Sequence, residues 1–204
     1  VRMEPNEVAQ FLDNVEYGNK LSDHQQKYHE KTKVRDLALL TLMLGTGIRV
    51  SECVGLDIND VDFDYDRIKI VRKGGYEAYV YFGDEARDAL LDYLDERNNI
   101  VACEGHENAL FLSSQRKRIS VRSVENMVKK YASITTPLKK ITPHKLRSTY
   151  GTSLYQQTSD IYLVADVLGH KDVNTTKKHY ADIDDWQRMK AKDAVTLREK
   201  HNKR

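Results

Sequence analysis

The hydrophobic period of this chain changes twice along its length, and this change constrains the fold more than any other feature. Between Leu56 and Phe82 apolar and polar side chains alternate in three short segments, residues 61–63, 67–71 and 76–81, which predicts antiparallel strands. On both sides of this stretch apolar residues recur at helical spacing. We therefore predict a mainly α-helical domain with a small three-stranded antiparallel sheet, an α+β fold.

Start and stop signals set the limits of the predicted helices. The hydroxyl of Ser120 favours a helix start, and Gly45 and Gly169 favour helix ends. The polar stretch 16–32 is predicted to be an ordered loop or a short helix. The predicted helices cover residues 4–15, 33–44, 51–54, 84–98, 120–131, a segment opened by Thr142, 161–168, a short segment carrying Tyr180, and 184–200.

The length of 204 residues is sufficient for one domain with a sizeable core. We predict a single catalytic domain over 1–204, with a core over 1–183 and a C-terminal helix or tail over 184–204, as one piece of a longer protein. The longest apolar run, 37–48, is shorter than the roughly 20 residues of a membrane span, so no membrane partner is predicted. Two cysteines, Cys53 and Cys103, suggest neither a zinc site nor a disulfide framework, which favours a cytoplasmic location.

The charges of the chain are segregated, although the formal net charge is only +2. Residues 115–149 contain ten Lys or Arg and one acidic residue, Glu125, whereas residues 57–66 contain five aspartates and no base. This pattern favours a basic side that faces DNA phosphates and a solvated acidic side. The alternative is a set of solvated helix faces that bind nothing. The predicted DNA contacts are Arg72, Arg116, Lys117, Arg118, Arg122, Lys139, Lys140 and Lys145.

Within the basic segment, Thr142 and Pro143 predict a helix start, because threonine can cap free amides and proline tolerates the first position. His144 then lies in the first turn, where the helix dipole disfavours a protonated imidazole and favours a nearby phosphate. Arg147 lies three residues on and shares the same helix face. A neutral His144 can therefore accept a proton beside a phosphate-binding cation.

Arg49 follows two glycines in a predicted loop between helices, where its side chain can be aimed. A guanidinium fork can bind two phosphate oxygens at once, and a second fork from Arg147 would surround the phosphoryl group. Such fixed cations would stabilise the charge of a pentavalent transition state. Glu52 is interpreted as a residue that orients Arg49.

Three further residues complete a set suited to phosphodiester chemistry. Lys73 stands at the tip of the predicted hairpin, and His170 follows a helix-ending glycine as a donor to a phosphate oxygen. Tyr180 supplies a phenol, which needs a base and cationic neighbours because a tyrosine pKa is ordinarily near 10.

Taken in order, these residues resemble the signature of the tyrosine recombinases, the integrase family that cuts and rejoins DNA through a phosphotyrosine. The resemblance extends from about Arg35 to Tyr180, and the sequence motifs around these residues look most like those of integrases of conjugative transposons. The catalytic residues that it implies are Arg49, Lys73, His144, Arg147, His170 and Tyr180.

The resemblance also implies a mechanism and partners. Tyr180 would attack a phosphate of double-stranded DNA to give a 3′-phosphotyrosine, and Lys73 would protonate the departing 5′ oxygen. Four protomers would act on two duplexes through a Holliday junction, with the tail docked on a neighbouring protomer and with accessory directionality or bending proteins. An N-terminal DNA-clamping domain, usual in the family, is absent from this sequence. No cofactor and no metal are predicted, because Arg49 and Arg147 would neutralise the phosphate charge.

Two alternatives remain at this stage. A type IB topoisomerase uses the same chemistry and much of the same residue set. A DNA-binding module without activity, acting as a directionality factor or repressor, is an alternative of another class.

Overall fold

A computed structural model of the chain describes residues 1–179 together with 188, 189, 191 and 194. It contains two compact units, Val1–Gly151 and Thr152–Arg204. The single catalytic domain over 1–204, divided at residue 183, stays a prediction. The elements of the described residues are α1 (Pro5–Tyr17), α2 (Asp23–Thr46), α3 (Val50–Val54), β1 (Val61–Asp62), β2 (Arg67–Val71), β3 (Glu77–Tyr81), α4 (Asp84–Arg97), α5 (Val121–Thr135), α6 (Pro143–Thr158), α7 (Ile161–Leu168) and α8 (Val173–His179).

Helix α2 corrects two predictions. It begins at Asp23, inside the polar stretch that was predicted to be a loop or short helix, because Ser22 and Gln25 form a reciprocal capping box. It continues past Gly45 to Thr46, and the left-handed backbone of the next residue, Gly47 (φ 70°), caps its last turn. The predicted helix 33–44 is therefore the second half of a helix of 24 residues.

The small sheet confirms the prediction drawn from the period of two. Its strand order is β1-β2-β3, all antiparallel, with Ile68 opposite Val80 and Ile70 opposite Ala78. Ile68, Ile70 and Val80 are buried on one face, while Tyr79 and Tyr81 are exposed on the other. The fold class is thus mainly helical with a three-stranded antiparallel sheet, as predicted.

The core of the first unit forms around α2, which packs against α1, α3 and α4. Leu39, Leu40 and Leu42 of α2 are fully buried. Aromatic pairs join the other elements to this core, including Tyr93 stacked on Phe111 with ring centroids 5.3 Å apart. In the part of the chain that the structure describes, no helix is long and apolar enough to cross a bilayer.

In the second unit, α7 and α8 pack against each other. The Asp160 carboxylate caps α7 by accepting from the backbone N–H groups of Tyr162 and Leu163, and Gly169 (φ 70°) ends the helix as predicted. The N–H of Asn174 donates to the Asp172 carboxylate, 2.9 Å away, at the start of α8. The predicted helix over 184–200 and the predicted nucleophile Tyr180 lie outside the described residues, apart from the four positions named above.

Candidate active site

The turn between α2 and α3 presents Arg49. Gly47 donates its N–H to the Met43 carbonyl, 3.0 Å away, and its left-handed backbone redirects the chain. Arg49 then becomes the N-cap of α3 in an extended conformation (φ −71°, ψ 151°). Its backbone N–H donates to Oε1 of Glu52 at 2.7 Å, and its side chain is 40% exposed. The backbone of Arg49 is therefore fixed, while its guanidinium faces solvent in part.

Arg147 reaches the same turn from α6. Its Nη1 donates to the carbonyl oxygen of Gly47 at 2.6 Å, across 100 residues of sequence. The acceptor lies at the C-terminal end of α2, where unpaired carbonyls give a partial negative charge that attracts a cation. Because Gly47 is two residues from Arg49, this hydrogen bond holds Arg147 at the turn that also presents Arg49.

His144 lies in the first turn of α6, as the capping signal predicted. The N–H of Lys145 donates to the Thr142 carbonyl at 2.9 Å, which closes the turn that follows Thr142, and the His144 side chain is exposed. His144 thus stands one turn before Arg147, at the positive end of a helix of 16 residues.

A groove opens beside His144, between α5 and the segment 137–143. Its cavity is about 670 Å³ in volume, and its walls combine cationic and apolar side chains. Arg122, Asn126 and Lys129 belong to one exposed stripe of α5, since they are four and three residues apart. Other walls are Val50, Lys140 and His144. Asn126 and Lys129 are absent from the predicted contacts, although their helical spacing from Arg122 was a usable signal.

Lys73 stands at an exposed hairpin turn between β2 and β3, as predicted. Gly74 (φ 97°) and Gly75 (φ 82°) supply the left-handed conformations that the turn requires. The turn is closed by hydrogen bonds from the N–H of Arg72 to the Tyr76 carbonyl (2.9 Å) and from the N–H of Gly75 to the Arg72 carbonyl (3.0 Å).

The side chain of Arg72, a predicted DNA contact, is buried beside a carboxylate. Its side chain is 7% exposed, and its Nη1 lies 3.8 Å from Oε2 of Glu52. The reason is the alternation of β2: Arg72 follows Ile68 and Ile70 in steps of two and therefore shares their buried face. The predicted DNA contact by Arg72 stays a prediction, and the strand period was the signal that could have revealed its buried side chain.

Two other predicted DNA contacts already bind protein groups. Arg118 donates to the carbonyls of Val54 (3.0 Å) and Leu56 (2.9 Å) and to the Asp57 carboxylate (2.5 Å). Lys139 donates to Glu7 at 2.6 Å. Both cations therefore contribute to tertiary structure. Of the remaining predicted contacts, Lys145 is half-buried, and Arg116, Lys117, Arg122 and Lys140 are exposed.

His170 belongs to the second unit, where it lies between α7 and α8. Its Nδ1 lies 2.5 Å from Oγ1 of Thr176, whose side chain is fully buried. When the threonine hydroxyl donates to Nδ1, the ring proton resides on Nε2, and this tautomer can donate to a phosphate oxygen. Thr176 was not among the predicted residues, and a spacing of six residues across a helix break gave no signal for it.

The buried tyrosines and the buried cysteine are poorly suited to act as the nucleophile. Burial raises the pKa values of Tyr93, Tyr131 and Tyr150, so these phenols ionise less readily than an ordinary tyrosine. Burial also raises the pKa of the Cys53 thiol, and the adjacent Glu52 charge adds to the effect. Within the described residues, no group of three or more His, Cys, Asp and Glu is placed to hold a metal.

Comparison with known proteins decides the family. The sequence model of the phage integrase family matches residues 1–186, nearly the whole chain. The chain belongs to the phage integrase family. Among its relatives, tyrosine recombinase XerS of Streptococcus agalactiae serotype III is 39% identical to this chain over 188 residues, which cover 90% of this chain and 52% of XerS. The integrase-family chain thus spans about half the length of the curated relatives that it matches.

Solved structures share the integrase fold. XerA recombinase superimposes with a TM-score of 0.74 at 27% identity, over 88% of this chain and 59% of XerA. The integrase of transposon Tn1549, in complex with a circular intermediate DNA, gives a TM-score of 0.69 at 21% identity, over 88% of this chain and 61% of that one. The second likeness concerns the fold alone.

Proposed function

We propose that this chain is the catalytic domain of a site-specific DNA recombinase that cuts and rejoins strands through Tyr180. The observation that carries the proposal is the hydrogen bond from Arg147 to the Gly47 carbonyl, 2.6 Å long, which brings a second guanidinium to the turn that presents Arg49. Two arginine forks at one turn suit a phosphoryl group that gains charge in its transition state. The family relationship supports the same chemistry.

The reaction can be written with each proton assigned. The Tyr180 oxygen forms a bond to phosphorus as its phenolic proton passes to neutral His144. The bond from phosphorus to the 5′ oxygen breaks, and the Lys73 ammonium gives its proton to that oxygen. The products are a 3′-phosphotyrosine and a 5′ hydroxyl, and attack by another strand's hydroxyl reverses the step. His170, with Nδ1 paired to Thr176, donates from Nε2 to a phosphate oxygen.

The groove beside His144 supports a DNA surface on the first unit. Arg122, Lys129 and Lys140 line it together with the histidine, and an exposed cation stripe on a helix suits the phosphates of a duplex. DNA contacts by Arg116, Lys117 and Lys145 are part of the proposal. Arg118 and Lys139 are left out of it, because they make hydrogen bonds of 2.5 and 2.6 Å to protein carboxylates. Arg72 is left out because its buried side chain lies beside Glu52 on the inner face of the hairpin.

The partners are double-stranded DNA and further copies of the chain. Four protomers on two paired sites would exchange strands in the cytoplasm, aided by accessory directionality or bending proteins. The structures of XerH with its difH substrate and of the Tn1549 integrase with transposon DNA support a DNA substrate for the fold. The names of the relatives favour recombination over a topoisomerase-like relaxation or an idle regulator.

The proposal is tested by trapping the covalent intermediate. End-labelled duplexes with randomised sequence around a fixed nick are incubated with the chain, so that cleavage releases a short fragment and traps the enzyme. We expect labelled DNA to stay with the protein on a denaturing gel and to be released by protease. Sequencing of the trapped strands gives the preferred site.

Tyr180→Phe should abolish the adduct completely. Tyr162→Phe is the matched control, because Tyr162 is exposed on α7 and should leave the adduct unchanged. An adduct that persists in Tyr180→Phe would overturn the assignment of the nucleophile. Relaxation of any supercoiled plasmid by single protomers would favour the topoisomerase alternative.

A further inference from the structure

One buried carboxylate in the first unit lies between the turn that presents Arg49 and the hairpin that carries Lys73. The Glu52 side chain is only 3% exposed, and its Oε1 accepts the backbone N–H of Arg49 at 2.7 Å. Its Oε2 lies 3.5 Å from Nη1 of Arg49 and 3.8 Å from Nη1 of Arg72. Glu52 therefore holds a guanidinium from the turn before α3 and another from the end of β2.

The second guanidinium belongs to the hairpin that carries Lys73. Arg72 is the last buried side chain before the turn, and its N–H and carbonyl both make the hydrogen bonds that close it. α3 also packs against β2, so the ion pair and the strand contact act on the same side of the hairpin. Lys73, by contrast, is exposed and adjoins two glycines with positive φ angles. The base of the turn is thus anchored, whereas its tip has little side-chain support.

We propose that Arg72 is a positioning residue for the general acid: through Glu52 it holds the hairpin so that the Lys73 ammonium reaches the departing 5′ oxygen. This inference rests on the proposed function, in which Lys73 donates that proton. In this role Arg72 acts through Glu52 and Lys73 and not on the phosphate or the leaving group. Its role follows from two neighbours: Lys73, the next residue in the sequence, and Glu52, the carboxylate beside its side chain. Without Arg72, the buried Glu52 would keep Arg49 as its cationic partner but would lose its partner in the hairpin, which adds a reason for the hairpin to shift.

A sulfur leaving group separates this role from phosphate binding. In a duplex whose scissile 5′ oxygen is replaced by sulfur, the leaving thiolate needs no proton, since the pKa of a thiol is about 8.5. Loss of the general acid slows cleavage of the oxygen substrate and spares the sulfur substrate. Loss of a phosphate-binding arginine slows both. The measured quantity is the ratio of single-turnover cleavage rates on sulfur and oxygen, with the site recovered from the trapping experiment.

We expect Lys73→Ala to raise this ratio about 10²- to 10⁴-fold, the usual size of a proton-transfer contribution. Arg72→Met should raise it about 10- to 100-fold, because a displacement of the acid by an ångström has effects of that order. Arg72→Lys keeps the positive charge beside Glu52, so its ratio should lie close to the wild-type value. Both rates come from one preparation, so the ratio does not depend on the fraction of folded enzyme.

Arg67→Met is the matched control, since Arg67 is on the same strand but pairs with Asp62, and its ratio should stay at the wild-type value. A ratio for Arg72→Met equal to that of wild type, with Lys73→Ala rescued by sulfur, would overturn the inference and leave the proposed function intact. If sulfur fails to rescue Lys73→Ala, the general-acid assignment in the proposed function is itself wrong.

Discussion

Two buried carboxylates in the first unit have cations on either side, yet they hold them differently. Asp36, fully buried, accepts from Nε and Nη2 of Arg35 at 3.0 and 2.8 Å and from the Tyr131 hydroxyl at 2.7 Å. Glu52 accepts one backbone N–H closely, but its guanidinium contacts are 3.5 and 3.8 Å long.

The difference shows how a carboxylate can serve stability or orientation. Arg35 uses its donors on Asp36 and on the Leu112 carbonyl, 3.1 Å away, so its guanidinium is part of the core structure. The longer contacts of Glu52 direct Arg49 without drawing its donors into short hydrogen bonds. A phosphate-binding cation has to keep donors for its ligand, and the looser contact suits that need.

The largest effect is expected where the carboxylate is bound most tightly. Asp36→Asn should lower the free energy of unfolding by about 3–5 kcal/mol, because it leaves buried cationic partners without their charge. Glu52→Gln should lower it by only about 1–3 kcal/mol, since its side-chain contacts are longer. Urea unfolding followed by circular dichroism measures both. Equal losses would remove the distinction between the two sites.

The next effect is on activity and compares the two arginines. Arg49→Ala should slow formation of the covalent adduct about 10²- to 10³-fold, as expected for one donor to a charged transition state. Arg35→Ala should destabilise the protein while the rate per folded molecule stays near that of wild type. The rates are measured on the trapped site and normalised to the folded fraction. A comparable loss in Arg35→Ala would mean that the Asp36 cluster also serves catalysis.

A smaller effect concerns pH and the second cation at Asp36, Lys130, whose Nζ lies 3.8 Å from Oδ2 of Asp36. Burial lowers the pKa of Lys130, and the Asp36 charge opposes this only in part. Because the unfolded lysine holds its proton up to about pH 10.4, stability should rise with pH from the lowered pKa to that value. Lys130→Met should flatten this rise, as measured by unfolding at a series of alkaline pH values. A rise that persists in the variant would come from other groups.

The smallest effect provides a surface reference for both buried sites. A hydrogen bond from Lys139 lowers the pKa of the Glu7 carboxyl, and the Glu4 backbone N–H adds to it. The resulting stability is present above the unfolded pKa, near 4.3, and is lost as pH falls through the lowered value. Lys139→Met should lower the free energy of unfolding by about 0.2–1 kcal/mol at pH 7 and reduce its acid dependence. A loss as large as that of Asp36→Asn would contradict the ranking.

Local signals predicted much of the fold and failed where a signal was outweighed. The alternation of residues 67–71 and 77–81 predicted the sheet, and Ser120 predicted the start of α5. Gly45 was read as a helix end, but the helix continues to the left-handed Gly47 because the residues around it are buried in the core. The polar composition of residues 16–32 favours a loop, yet the capping box of Ser22 and Gln25 starts α2 inside this stretch.

The sequence by itself determined the residue types of the site and the ends of the elements that present them, because caps, glycines and hydrophobic period act over a few residues. Only the tertiary structure decided that Arg147 donates to the Gly47 carbonyl and that Arg72 turns inward to Glu52. The physical reason is distance along the chain. Contacts across 100 residues depend on how helices pack, and a side chain takes its partner from that packing rather than from its neighbours in sequence.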